Sequence, residues 1–175
     1  MARKIVIIGP ESTGKSTLCK QLASHYSTQW CPEFAREYLT KNGTSYNYND
    51  LLTIARGQIA LETTFEAMLE PNDLLFLDTN LYVMNVWCEF VFNKCHDWIL
   101  KEIASRTYEL YLLCNIDLPW TKDELREYPD LATRKILFNI YEDLLINQPT
   151  PWVIISGAED KRKEAAIKAV DAFIK

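Results

Sequence analysis

The chain has 175 residues, room for one domain with a substantial buried core. Its net charge of −5 offers no broad attraction to nucleic acid or an anionic membrane, and no stretch approaches the roughly 18 uninterrupted apolar residues of a membrane span. Five cysteines (Cys19, Cys31, Cys88, Cys95, Cys114) without C-x-x-C spacing argue against a zinc site and a disulfide framework, so a reduced cytoplasmic setting is expected.

The first apolar run, Ile5–Ile8, begins close to the N-terminus, leaves no room for a signal peptide, and reads as a buried parallel strand. Directly after it, Gly9-Pro10-Glu11-Ser12-Thr13-Gly14-Lys15-Ser16 fulfils the phosphate-binding pattern G-x-x-x-x-G-K-[ST]. Leu18, Leu22 and Tyr26 then recur at helical spacing. Strand, glycine loop and helix in that order are the context the pattern requires. Gly9 and Gly14 permit close backbone approach. The N–H groups around Glu11, Ser12, Thr13 and Gly14 can then face phosphates at the positive end of the helix. Lys15 supplies charge to the β- and γ-phosphates, the Ser16 hydroxyl is placed for Mg²⁺, and Thr17 is a donor for the α-phosphate. The expected ligand is ATP or GTP.

A weaker strand at Thr28–Cys31 leads into Glu33-Phe34-Ala35-Arg36-Glu37, whose charges share one helical side. They form either a solvated face with a Glu33–Arg36 pair or a cradle for an acceptor substrate. A helical pattern over 48–69 is interrupted by Arg56-Gly57-Gln58. Glycine inside a helix costs about 1 kcal/mol against alanine, so a packing or ligand-approach reason is expected there. Leu74–Leu77 is an apolar strand ending in Asp78, which either meets Mg²⁺ beside the glycine loop or caps the helix beginning near Leu81. Thr79 and Asn80 continue the same edge.

Helical patterns follow at 80–92 and 96–106, then a strand at Leu110–Cys114. The segment 118–127 after it carries Arg126, which with Arg134 is a candidate lid cation for the transferring phosphoryl group. The alternative is an ordinary surface loop with Pro119-Trp120 clamped on the core edge. A helix at 130–147, a strand at Val153–Ile155 and a helix at 159–174 complete the chain. Lys161-Arg162-Lys163 reads as a solvated cluster, and His25 and His96 as ordinary residues. Strands alternating with helices predict an α/β fold, about five parallel strands with helices on both faces and right-handed crossovers. Ligands of such sheets lie beyond the carboxyl ends of the strands. That rule nominates Glu33–Arg36, Asp78–Asn80, Asn115–Trp120 and Ser156–Gly157 beside the glycine loop.

G-P-E-S-T-G-K-S-T-L at 9–18, P-E-F-A-R-E-Y-L at 32–39, L-F-L-D-T-N at 75–80 and V-W-C-E-F at 86–90 run in order with Y-L-L-C-N-I-D-L-P-W at 111–120, L-R-E-Y-P-D at 125–130 and V-I-I-S-G at 153–157. Together these blocks resemble the ribosylnicotinamide kinase domain of NadR-type proteins, a branch of P-loop kinases. The resemblance implies a P-loop NTPase fold and ATP·Mg²⁺-dependent phosphorylation of a nucleoside hydroxyl, nicotinamide riboside being the preferred acceptor. It adds support for Glu33 and Arg36 on the substrate side and for Arg126 at the lid; with the pattern readings above, Lys15, Asp78 and Arg126 are the expected catalytic residues, Ser16 and Asp78 the expected metal residues, and Asn80 is also expected on the substrate side. A single kinase-like domain over 1–175 is expected, without the adenylyltransferase domain that precedes it in NadR.

Two positions depart from the family. Its strand-end motif often carries two acids, where this chain has Asp78-Thr79-Asn80. Its ring-stacking aromatics fall, without gaps, near Pro32 and Thr64, leaving Trp30, Tyr38, Phe65 or Trp87 as substitutes. A nucleotide-dependent regulatory ATPase without a small-molecule acceptor is the competing expectation.

Overall fold

Ile5, Val6, Ile7 and Ile8 are fully shielded from solvent because they end the central strand of the sheet. The computed structural model describes residues 1–174. Strand β1 (Arg3–Ile8) lies between β3 (Leu74–Asp78) and β4 (Leu110–Cys114), with β2 (Gln29–Cys31) and β5 (Trp152–Ile155) at the edges. The order is β2-β3-β1-β4-β5, and every pairing is parallel. The expected doubly covered α/β sheet is therefore present.

Parallel neighbours need crossovers, and helices supply them. Along the chain they are α1 (Lys15–His25), α2 (Phe34–Asn42), α3 (Tyr48–Glu66), α4 (Leu81–Phe92), α5 (Asp97–Ser105), α6 (Leu131–Ile146) and α7 (Glu159–Ile174). Successive strand residues face opposite ways, so β1 serves two cores. Ile5 and Ile7 pack with Leu18 and Leu22 of α1 and Ala166 and Val170 of α7. Val6 and Ile8 pack with Val86 of α4 and Leu137, Tyr141 and Leu145 of α6. A third cluster joins α2, α3, α4 and α5 through Ala35, Leu51, Ile54, Met84 and Ile99. Cys19 and Cys114 are buried in the first core, as expected of small apolar side chains.

Three local features bear on the sequence reading, and the third corrects it. Asp78 does not cap α4: Asn80 does, its Oδ1 accepting from the Tyr82 N–H at 3.0 Å. Val153 and Ile154 are 40% and 38% exposed, because β5 is an edge strand rather than an interior one. Arg162 is buried rather than solvated. Its guanidinium donates to the carbonyls of Gly157 (2.8 Å), Ile155 (3.0 Å) and Asn115 (3.2 Å) and pairs with Asp117. It thus ties the loops after β4 and β5 together at the carboxyl end of the sheet.

Among the described residues no helix is long and apolar enough to cross a membrane.

Candidate active site

The glycine loop bridges β1 and α1 at the centre of the carboxyl edge. Gly9 has φ +137°, and a Cβ there would stand 2.8 Å from the Cys114 carbonyl oxygen, so the close pass over β4 requires glycine. Inside the loop the buried Thr13 hydroxyl donates to the Pro10 carbonyl at 2.8 Å, and Lys15 Nζ donates to the same oxygen at 2.9 Å. Ser16 and Thr17 stand exposed in the first turn of α1. Residues Gly9–Thr17 form one wall of a cleft of about 250 Å³.

Two carboxylates meet the loop from neighbouring strands. Asp78, last residue of β3, is 2% exposed, and its Oδ1 has no hydrogen-bond partner. Burial raises its pKa, while Lys15, the Ser16 hydroxyl, Arg36 and Lys20 oppose the rise. Glu33 follows β2, stands at the N-cap of α2 and lines the cleft, its side chain making no capping bond. Its carboxyl is pushed up to about 7, first by burial and next by the charge of Asp78, against Lys15 and Arg36. A buried carboxylate oxygen left open beside a hydroxyl and a lysine suits a hard cation that also takes phosphate oxygens. Ser16 and Asp78 therefore fit Mg²⁺.

The segment after β4 folds back over the loop. The Glu11 carboxylate accepts the backbone N–H groups of Glu127, at 3.0 Å, and Tyr128. Ser12 Oγ accepts from the Thr121 N–H at 2.8 Å and from Arg126 Nη1 at 3.3 Å. On the far side Asp123 pairs with Arg36 at 3.0 Å, and Glu127 accepts from the Tyr46 hydroxyl at 3.0 Å. Arg36 therefore pairs across the cleft, not with Glu33. Arg126 lines the cleft, but Arg134 does not. Arg134 is buried, donating to the carbonyls of Leu118 (3.3 Å) and Ser12 (3.4 Å), and so braces the segment after β4 against the glycine loop rather than standing free as a lid cation.

The remaining wall is aromatic. Tyr46 and Trp87 meet edge to face with centroids 4.8 Å apart, and Trp87 Nε1 donates to the Tyr46 hydroxyl at 2.8 Å. Phe90 and Tyr128 make a second such pair at 5.4 Å, and all four rings line the cleft.

A family model described as an AAA domain matches residues 4–162, most of the chain. The chain belongs to that AAA domain family. It is 28% identical over 161 residues to the trifunctional NAD biosynthesis/regulator protein NadR of Salmonella typhimurium, covering 90% of this chain and 39% of the relative. It thus spans well under half the length of the curated relatives it matches. Its fold is similar to a crystal structure of NadR protein in complex with NR, with TM-score 0.81 and 22% identity over 98% of this chain and 49% of that one. It is also similar to thymidylate kinase from Ehrlichia chaffeensis, with TM-score 0.66 and 12% identity over 98% of both chains. The NadR-type resemblance carried by the motif blocks, and the P-loop fold it implies, are thereby borne out.

Within this AAA domain, Gly9, Glu11, Ser12, Thr13, Gly14, Lys15, Ser16 and Thr17 line one cleft with Glu33, Arg36 and Arg126. Asp78 lies behind them, close enough for its charge to act on Glu33. Asn80 is apart: its amide is spent on capping α4 and on the Tyr111 hydroxyl (3.0 Å), and it does not line the cleft. Its expected place on the substrate side is corrected to a buried structural one. Pro32, Thr64, Trp30, Tyr38 and Phe65 are also outside the lining, and Trp87 alone of the four substitute aromatics belongs to it. Tyr46, Phe90, Glu127 and Tyr128 are functional candidates that motif reading misses. A usable signal exists on α4, where Val83, Val86, Trp87 and Phe90 recur at three- and four-residue spacing and share the cleft-facing side.

Proposed function

We propose that this chain is an ATP-dependent phosphotransferase, one kinase-like domain that phosphorylates a nucleoside hydroxyl, with nicotinamide riboside as the acceptor its cleft suits best. The observation that carries this reading is a phosphate loop sharing one cleft with the Glu33 carboxylate and a wall of aromatic rings. The triphosphate lies across the loop amides at the positive end of α1, with Lys15 and Arg126 meeting its negative charge. Ser16 and Asp78 would hold Mg²⁺, which would supply positive charge to the phosphate oxygens. Glu33 takes the acceptor proton, and its pKa near 7 suits that task. The acceptor oxygen bonds to the γ-phosphorus as the bridging P–O bond breaks, and ADP leaves with the bridging electrons. Most of the acceleration comes from placement and charge.

The acceptor assignment rests on the ring wall. The pyridinium of nicotinamide riboside is a cation, and cations bind over aromatic faces. Trp87 and Tyr46 supply those faces, with Glu33 and Glu127 adding negative charge nearby. The NR held by the similar NadR structure supports the same choice. The experiment is ADP release from ATP·Mg²⁺ with a nucleoside panel led by nicotinamide riboside, products identified by mass. Phosphorylated nicotinamide riboside is expected. ADP without any phosphorylated nucleoside would replace the kinase with a regulatory ATPase.

A further inference from the structure

Gly57 and Gln58, which break the regular pattern of α3, bear on the one turn that carries Glu33. Gln58 is 3% exposed, yet its side-chain amide is fully engaged. Its Oε1 accepts from the Phe34 backbone N–H at 2.7 Å. Its Nε2 donates to the Pro32 carbonyl at 3.3 Å and contacts Cys31 Sγ at 3.7 Å. The amide therefore grips the chain on both sides of residue 33. Gly57 acts on the same turn by packing: a Cβ there would overlap the Phe34 ring, so glycine lets that ring lie flat on α3.

This arrangement solves a problem specific to a helix start. The first N–H groups of a helix lack partners, and short N-cap side chains such as Ser, Thr, Asp or Asn ordinarily turn back to take those of the second or third residue. Glu33 occupies the N-cap of α2 and makes no such bond. Gln58 takes the Phe34 N–H, the first of the helix, from another element and so holds the turn from which the Glu33 side chain lines the cleft. Only a side chain with one acceptor and a donor at this reach can serve both Phe34 and Pro32. Glutamate lacks the donor, asparagine is a methylene short, and methionine has the shape with neither bond.

We propose that Gln58 is a positioning residue that fixes the direction of the Glu33 carboxylate in the cleft by holding Pro32 and Phe34. The functional side of this inference rests on the reading of Glu33 as the acceptor-side base; its geometric side does not. The groups that face Glu33 are Asp78 from β3, Lys15 at the start of α1, Arg36 on α2, Glu11 in the glycine loop and Tyr141 on α6.

The test follows the Glu33 carboxyl carbon by NMR across pH in the wild-type and Gln58→Met proteins, with Glu33→Gln giving the assignment. Gly57→Ala, which displaces Phe34 by overlap, is the second variant should Gln58→Met fail to fold. In either variant the Glu33 titration midpoint is expected to fall by about one pH unit as the carboxylate leaves its enclosed position. An unchanged midpoint overturns the proposal. With nicotinamide riboside as acceptor, Gln58→Met should lower kcat by about 10- to 100-fold with KM for ATP held within about threefold. It should add nothing to Glu33→Gln in the double variant. Full additivity of the two losses overturns positioning while leaving Glu33 its role. A wild-type kcat in Glu33→Gln removes that role, and the titration result on Gln58 still stands.

Discussion

Two buried carboxylates sit at opposite ends of the same sheet. At the amino end, Glu62 of α3 is 1% exposed and both its oxygens are taken. Lys4 Nζ lies 3.0 Å and Arg106 Nη1 3.6 Å from Oε1, and the Tyr108 hydroxyl donates to Oε2 at 3.2 Å. At the carboxyl end, Asp78 is as deeply buried, and one oxygen has no partner. Burial alone therefore does not separate the two acids. The protein completes the hydrogen bonding of Glu62 and leaves one Asp78 oxygen open, as it also leaves Glu66 Oε1 beside Lys4, so an open oxygen points to a ligand only together with its place at the glycine loop.

The comparison breaks most sharply by exchanging each acid for its amide. Asp78→Asn should cut kcat by about 100- to 1,000-fold with an unchanged or higher Tm, because it removes a buried charge that the protein leaves half-satisfied. Glu62→Gln should do the reverse. Weakening a buried ion pair costs on the order of 3 kcal/mol, a Tm fall of roughly 6–12 °C for a domain of this size. Its kcat should stay within about threefold of wild type. Thermal melts and steady-state rates on the two variants decide the matter, and an Asp78→Asn protein that unfolds while turning over normally would make the two acids alike.

Glu33 sharpens the contrast through pH. Its carboxyl titrates near 7 in the folded chain, against 4.5 as the unperturbed value. Between those values the folded state keeps a proton that the unfolded chain has released. Stability from this group therefore falls as pH rises through that window and stays lower above it. Glu33→Gln should melt a few degrees above wild type at pH 8 and show no such gain at pH 4. Wild type is expected to show kcat/KM rising as pH approaches 7, and the same variant should lose that rise. The smallest expected effect is at the aromatic wall. Trp87→Leu should raise KM for the nucleoside by about 3- to 10-fold and leave KM for ATP in place.

Legibility in the sequence follows how local each device is. The glycine loop is contiguous, so eight adjacent residues announce it. Asp78 and Glu33 are found because strand ends in a parallel sheet are where ligands gather. The aromatic wall is hidden because Tyr46 and Trp87 are 41 positions apart and meet only when α4 packs beside the turn before α3. Arg162 misleads for another reason: a run of lysine and arginine looks solvated, yet three carbonyls at the ends of β4 and β5 supply what burial of a guanidinium demands. Gly57 announces that a helix is compromised, but only Phe34 lying across it says for what.

The bond between Asn80 and Tyr111 bears on the missing second acid. A phenol hydroxyl is a rotor that both gives and takes a hydrogen bond. Today it receives the proton of the Asn80 amide at 3.0 Å. Facing a carboxylate it would swing its own proton across, so the joint closes with either residue and no side chain need move. An aspartate at 80 would then announce itself two residues upstream, as added negative potential on Asp78. The Tyr111 hydroxyl thus lets position 80 carry an amide or a carboxylate without repacking.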